Sequence, residues 1–314
     1  MRLPALSDIQ AAHSRIRPFI HYTPVLTSQQ LTKLFDCELY FKCENLQKVG
    51  AFKFRGATNA VMLLNDDERK RGVVTHSSGN HAAALALAAS MNGVKANIVM
   101  PDTAPAVKKN AVAGYGAEIT FCKPTLQARE ETTRAIMERT GATLVHPYDN
   151  FNVICGQGTA ALELLADKPD LDFVIAPVGG GGLMSGTSTC VKGLNSKIRV
   201  IGAEPMNAND AWKSFNSGQL VPSVNPLTVA DGLLTSLSDL TFTIIRKNVD
   251  QILTATEESI IECMLLVWER MKIIIEPSSA TVLAVIKENP EIFRGKKAGL
   301  IISGGNVDFR KLPF

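Results

Sequence analysis

Phe173-Val174-Ile175-Ala176-Pro177-Val178-Gly179-Gly180-Gly181-Gly182-Leu183-Met184-Ser185-Gly186 is the stretch that decides how this chain is read. An apolar run of strand length gives way to four consecutive glycines and then to a helical pattern, so the stretch reads as strand, loop and helix. Backbone amides at such a helix start can crowd around a dianionic phosphate. Four glycines in a row are not the G-x-G-x-x-G spacing, followed by a suitably placed acid, that a dinucleotide fingerprint asks for. A glycine run alone is more often a turn, so the phosphate reading depends on what the rest of the chain supplies.

Outward from this stretch, apolar runs alternate with helical patterns almost throughout, which is the signature of parallel strands joined by crossover helices. Strand candidates are Leu39 to Lys42, Val73 to His76, Ala96 to Met100, Glu118 to Cys122, Thr143 to His146, Phe173 to Val178, Val200 to Glu204 and Gly299 to Ser303. The fold class is α/β. A chain of 314 residues has room for two lobes. The compact series of strand and helix units between Asp67 and His146 predicts a small lobe, 67–146, inserted into a larger one built from 1–66 and 147–314, with ligands bound between them.

Composition narrows the partners. Hydrophobic residues make up 46% and charged residues 20%, and a formal charge of +3 is too small and too evenly mixed for nucleic acid or an anionic membrane. Small molecules are the expected partners. The N-terminal residues lack a signal-peptide pattern and no apolar segment reaches bilayer-spanning length, so a cytoplasmic protein is expected. Cys37, Cys43, Cys122, Cys155, Cys190 and Cys263 show no CxxC spacing, which predicts free, mostly buried thiols in a reducing compartment.

Three further segments carry chemistry. Lys53 lies in Val49-Gly50-Ala51-Phe52-Lys53-Phe54-Arg55-Gly56-Ala57, and a lysine held in apolar surroundings loses part of its preference for the ammonium form, as a Schiff-base nucleophile requires. Ser77-Ser78-Gly79-Asn80-His81 joins the strand ending at His76 to the helix-forming run from Ala82, and free amides there suit a carboxylate. Ordinary helix capping is the plainer reading of that segment taken alone. Ser303-Gly304-Gly305-Asn306 ends a late strand in a third small-residue loop.

Taken in order over nearly the whole chain, these motifs resemble the fold-type II pyridoxal phosphate enzymes, the tryptophan synthase β-like fold, in the branch of the serine racemases and threonine dehydratases. The resemblance implies two lobes of mixed and parallel sheets flanked by helices, the small one closing over the substrate. It implies pyridoxal 5'-phosphate joined to Lys53 by a Schiff base, its phosphate held by Gly179, Gly180, Gly181 and Gly182, with Phe52 and Leu183 beside it. It also implies Asn80 at the ring hydroxyl, Ser303 at the ring nitrogen, and Ser77, Ser78, Gly79, Asn80 and His81 around an amino acid substrate. A neutral hydroxyl at the ring nitrogen makes a weaker electron sink than a carboxylate, so loss of a β-hydroxyl should accompany racemisation.

Related dehydratases usually carry alanine where Ser78 stands. Racemisation needs a proton donor or acceptor on each face of a planar intermediate, and the resemblance places Lys53 on one face and Ser78 on the other. The implied function is interconversion of L- and D-serine with dehydration of serine to pyruvate and ammonia; the alternative is an ammonia-lyase acting on threonine or threo-3-hydroxyaspartate. His146-Pro147-Tyr148-Asp149-Asn150 lies where relatives vary with the substrate side chain. Val49 and Ala83 stand where ATP-activated animal racemases carry polar residues.

Glu204 and Asp210 offer hard oxygen ligands. The resemblance adds the Ala208 carbonyl, giving a site for Mg²⁺ or for Ca²⁺ or Mn²⁺, and it implies a homodimer. Glu276 is placed near the cofactor ring. His13 and His21 are expected to lack a cluster of partners.

Overall fold

The structure is a computed structural model and describes residues 2–104 and 106–314. Its strands are β1 (Val25–Leu26), β2 (Glu38–Cys43), β3 (Val73–His76), β4 (Ala96–Pro101), β5 (Glu118–Cys122), β6 (Thr143–Leu144), β7 (Phe173–Pro177), β8 (Arg199–Pro205), β9 (Gln251–Ala255) and β10 (Lys297–Ile302). They form a six-stranded sheet in the order β1-β2-β10-β7-β8-β9 and a four-stranded sheet in the order β5-β4-β3-β6. Apart from the antiparallel β1–β2 pair, the pairings between these strands are parallel.

The apolar runs read from the sequence become β2 to β8 and β10. Parallel strands with helices on both faces bury alternate side chains in opposite cores. Phe173 and Ile175 of β7 enter one core with Leu283 and Met264, while Val174 and Ala176 enter the other with Leu164 and Met184. The four-stranded sheet repeats the division: Val73, Ile98 and Met100 face Leu85, and Val74 and Val99 face Ile136.

Three details depart from expectation. The strands β1 and β9 lie at the sheet's edges, where one-sided pairing demands less of the apolar pattern. The strand expected to reach His146 stops at Leu144, because Val145 lends its carbonyl to the His81 Nε2 atom at 2.9 Å and Pro147 follows. His13 has one acidic neighbour: its Nε2 lies 3.4 Å from Glu163 Oε1.

That contact belongs to a buried ionic cluster that anchors the Lys53–Met62 helix. Arg55 is fully buried. Its Nε and Nη2 donate to Glu44 at 2.6 and 2.8 Å, and its Nη1 and Nη2 donate to Glu163 at 2.7 Å each. Lys42 Nζ donates to Glu163 Oε2 at 2.7 Å and to the Thr23 carbonyl at 2.6 Å. One helix is thereby tied to β2, to the turn after it and to the Phe151–Asp167 helix. The two helices also cross closely, since a Cβ on Gly156 would sit 2.6 Å from Gly56 Cα.

Candidate active site

The loops that leave β2, β3, β7 and β10 all depart from the carboxyl ends of their strands, where parallel sheets place their ligand crevices. After β2 the chain makes two short 3₁₀ turns, Glu44–Leu46 and Lys48–Gly50, and then bridges to the loop after β10. Phe52 N donates to the Ser303 carbonyl at 2.9 Å. Lys53 is thus fixed beside Ser303 at the start of its helix, with Nζ donating to the Pro147 carbonyl at 2.9 Å and lying 5.1 Å from the Phe52 ring centre. Burial draws its ammonium down to about 8 from the ordinary 10.5, against the opposing pull of Glu276.

The glycine loop leaves β7 and opens the Gly182–Leu194 helix without a side-chain cap. Gly181 has φ of +84°, a region that favours glycine. Tyr148 packs against the loop so closely that a Cβ on Gly180 would lie 2.3 Å from its ring. Only a side-chain-free backbone fits here, and its first amides are the donors that a phosphate would use. Leu183, in the first turn of this helix, is buried.

Ser303 is buried, and its hydroxyl lies 3.0 Å from that of Ser279, which donates to the Gly304 carbonyl at 2.7 Å and accepts from Gly304 N at 2.8 Å. Glu276 stands at the start of the Pro277–Glu288 helix yet caps nothing with its side chain. Its carboxylate instead accepts from Asn80 Nδ2 at 3.1 Å to both oxygens and from Asn306 N at 3.2 Å. Burial and the charge of Asp231 push it up to about 7.

The Ser77–His81 segment joins these groups from the other sheet. Ser77 N continues the β3–β4 ladder by donating to the Val99 carbonyl at 3.2 Å, and Gly79 N donates to Ser77 Oγ at 3.4 Å. Ser78 is half-buried. A Cβ on Gly79 would meet nothing within 4 Å, so this turn borders open space. His81 is buried, and desolvation together with the Lys53 charge lowers it to about 3. It is a neutral ring anchored to Val145, a structural place within the segment read as substrate-binding.

His76, His146 and Tyr148 form a stack that the sequence did not single out as a unit. The His76 and His146 rings lie 5.4 Å apart and the His146 and Tyr148 rings 4.6 Å apart, edge to face. His146 Nδ1 accepts from Asp149 N at 2.9 Å, and burial followed by the neighbouring His76 lowers the ring to about 4.

The second cluster lies where β8 ends. Glu204 is buried and accepts from Ala211 N at 2.9 Å and Trp212 N at 2.7 Å. Asp210 is also buried, and its Oδ2 has no hydrogen-bond partner. Ala208, between them, is the buried residue of the otherwise exposed 3₁₀ turn Met206–Ala208. Among the described residues no group of three His, Cys, Asp or Glu side chains gathers to hold a metal, so the candidate is two carboxylates and a backbone carbonyl.

Residues 16–304 match the family described as pyridoxal-phosphate dependent enzyme. A serine racemase of Dictyostelium discoideum is 52% identical over 99% of this chain and 98% of its own length. A β-hydroxyaspartate dehydratase of Paracoccus denitrificans is 49% identical over the full length of both. The crystal structure of the Dictyostelium discoideum serine racemase superimposes with a TM-score of 0.93, covering 97% of this chain and 99% of that one.

Proposed function

Because this chain belongs to the pyridoxal-phosphate dependent enzymes, we propose that it interconverts L- and D-serine and also dehydrates serine to pyruvate and ammonia. What supports this reading is that Lys53 follows β2 and Ser78 follows β3, and that these two segments are tied to each other through Asn306, which donates to both the Val49 carbonyl and Asn80 Oδ1. Incubating the cofactor-loaded protein with L-serine tests it. D-serine and pyruvate should appear together, and pyruvate without D-serine would overturn the racemase reading.

The residues present fit the cofactor: an amine of lowered basicity, an uncapped glycine loop and a buried hydroxyl. When bound, pyridoxal phosphate delocalises the electron pair left at the substrate's α-carbon. Lys53 would hold it, and when freed by substrate would take or return the α-proton on one face. Ser78 would do the same on the other. Gly179 to Gly182 would hold the phosphate with Phe52 and Leu183 alongside, Asn80 would face the ring hydroxyl, and Ser303 would offer the ring nitrogen a neutral hydroxyl. The amides of the Ser77–His81 turn would orient the substrate carboxylate.

Capture of the cofactor needs the neutral amine, whose fraction rises as pH passes the Lys53 value. The rate at which cofactor-free protein takes up pyridoxal phosphate should therefore climb with pH and reach half its limit at about 8. A climb delayed towards 10.5, the ordinary lysine value, would contradict the site described.

We propose further that Glu204, the Ala208 carbonyl and Asp210 hold Mg²⁺ or a similar divalent cation, with water completing the shell. The unpartnered Asp210 oxygen supports this, because each Glu204 oxygen keeps a second lone pair and a cation would satisfy all three. Added Mg²⁺ or Ca²⁺ should stabilise the protein by roughly 2.7 kcal/mol at a hundredfold excess over Kd. Asp210→Asn should abolish the rise in melting temperature. An unchanged wild-type melt across millimolar cation would remove the site.

The free thiols, five of them buried, support a reducing, cytoplasmic setting, and no helix among the described residues is long and apolar enough to cross a membrane. A homodimer is proposed from the family and is checked by sedimentation at two concentrations. The full-length similarity to a β-hydroxyaspartate dehydratase favours hydroxyaspartate elimination as the second reading.

A further inference from the structure

Among the described residues, Val49 is the β-branched one that adopts a left-handed backbone, φ 59° and ψ 10°, and it does so four residues before Lys53. Such a conformation is strained for valine and persists only where its surroundings impose it. Gly50 follows, also left-handed at φ +69°. The turn is held from outside by Asn306, whose Nδ2 donates to the Val49 carbonyl at 2.8 Å, and by Gly305 N, which donates to the Gly50 carbonyl at 2.9 Å. Asn306 approaches so closely that a Cβ on Gly50 would lie 2.8 Å from its Oδ1.

The second hydrogen on the same Asn306 nitrogen goes to Asn80 Oδ1 at 2.9 Å. This bond settles which way the Asn80 amide faces. With its oxygen taken by Asn306, its nitrogen must turn to the Glu276 carboxylate, as observed; the flipped amide would set nitrogen against nitrogen and oxygen against carboxylate. The Asn306 backbone amide completes the arrangement by donating to Glu276 Oε2 at 3.2 Å. All three N–H donors of one residue are spent on three elements: the turn leading to Lys53, the first residue of the Asn80–Met91 helix and the start of the Pro277–Glu288 helix.

We propose that Asn306 is a positioning residue of the active site, holding the strained Val49-Gly50 turn that leads to Lys53 and fixing the orientation of Asn80 with the same carboxamide. The inference rests on the reading above that Lys53 and Asn80 both meet the cofactor. It couples them, since the lysine follows the six-stranded sheet and Asn80 follows the four-stranded one.

The test compares cofactor-loaded wild type with Asn306→Ala, Val49→Gly and the double variant, by visible absorbance of the bound cofactor, melting temperature and steady-state kinetics. In Asn306→Ala the balance of the visible bands should shift at least ~2-fold and kcat should fall ~10-fold or more, with KM changed far less. Val49→Gly removes the strain that Asn306 offsets, so alone it should keep the wild-type spectrum and kcat. Added to Asn306→Ala, it should restore the melting temperature but not the spectrum. If Asn306→Ala does not fold, the double variant carries the readout. A folded, loaded Asn306 variant with the wild-type spectrum and kcat within ~2-fold would overturn the proposal. Wild-type protein that shows no visible cofactor band would instead overturn the reading on which it rests, and the spectral comparison does not depend on which amino acid is the substrate.

Discussion

Ser78→Ala should lower D-serine formation from L-serine by about 10²–10⁴-fold, the usual worth of a positioned acid or base, while pyruvate release from L-serine falls far less. The asymmetry follows from the two faces. Elimination from L-serine needs a proton removed on one side, which Lys53 would do, followed by loss of the β-hydroxyl. Racemisation needs a second group on the opposite side. Ser78 sits in a turn bordered by open space at Gly79 and followed by Asn80, whose side chain reaches Glu276 on the other sheet. Removing one hydroxyl there changes little packing, because the residue is only half-buried. Chiral chromatography and pyruvate assay of the same reaction check the prediction. An equal loss of both products would mean that Ser78 serves substrate binding or folding and not proton transfer on one face.

Arg55→Met should destabilise the protein by about 3–5 kcal/mol, a large part of the roughly 5–15 kcal/mol that holds a typical domain folded. The guanidinium is fully buried between Glu44 and Glu163, themselves buried, and removing it leaves two carboxylates short of positive charge where water does not reach. Burial alone would raise Glu163, but hydrogen bonds from His13 and Arg55 and the charges of Arg55 and Lys42 hold it down at about 2. A carboxyl depressed in the folded state contributes stability that is complete above its unfolded value of about 4.5 and is lost as pH falls towards 2. The variant should therefore lose most stability near neutral pH and differ less from wild type in acid. Urea denaturation at pH 7 and pH 3 measures both. Substitution in the exposed Lys70–Asp67 pair should change little by comparison.

The sheets were legible because parallel strands buried on both faces write long apolar runs, as Phe173 to Val178 and Gly299 to Ser303 do. The edge strands of the six-stranded sheet were not, although β5 and β6 at the edges of the other sheet were: β9, Gln251-Ile252-Leu253-Thr254-Ala255, opens on a polar residue and pairs on one side, so its run is short and mixed. In the site, residues with special backbone needs announced themselves, the four glycines above all. Groups that act through partners distant in sequence did not. Asn80, Glu276 and Asn306 are far apart in the chain, and Glu276 reads locally as a helix start before Pro277; only the fold shows that its carboxylate serves Asn80 instead. Arg55 likewise looked like one more charge in a motif, and its burial depends on Glu44 and Glu163 arriving from other elements. Tyr148 stood out as part of the segment that varies among relatives, but not as the ring that forbids a side chain on Gly180.

The central claim is that protons reach the substrate's α-carbon from two faces. The most direct measurement is proton NMR of L-serine incubated with the cofactor-loaded protein in D₂O, with the enantiomers separated afterwards. The account predicts D-serine carrying deuterium at the α-carbon, with pyruvate accumulating alongside. Deuterium confined to L-serine, with pyruvate and no D-serine, would contradict it.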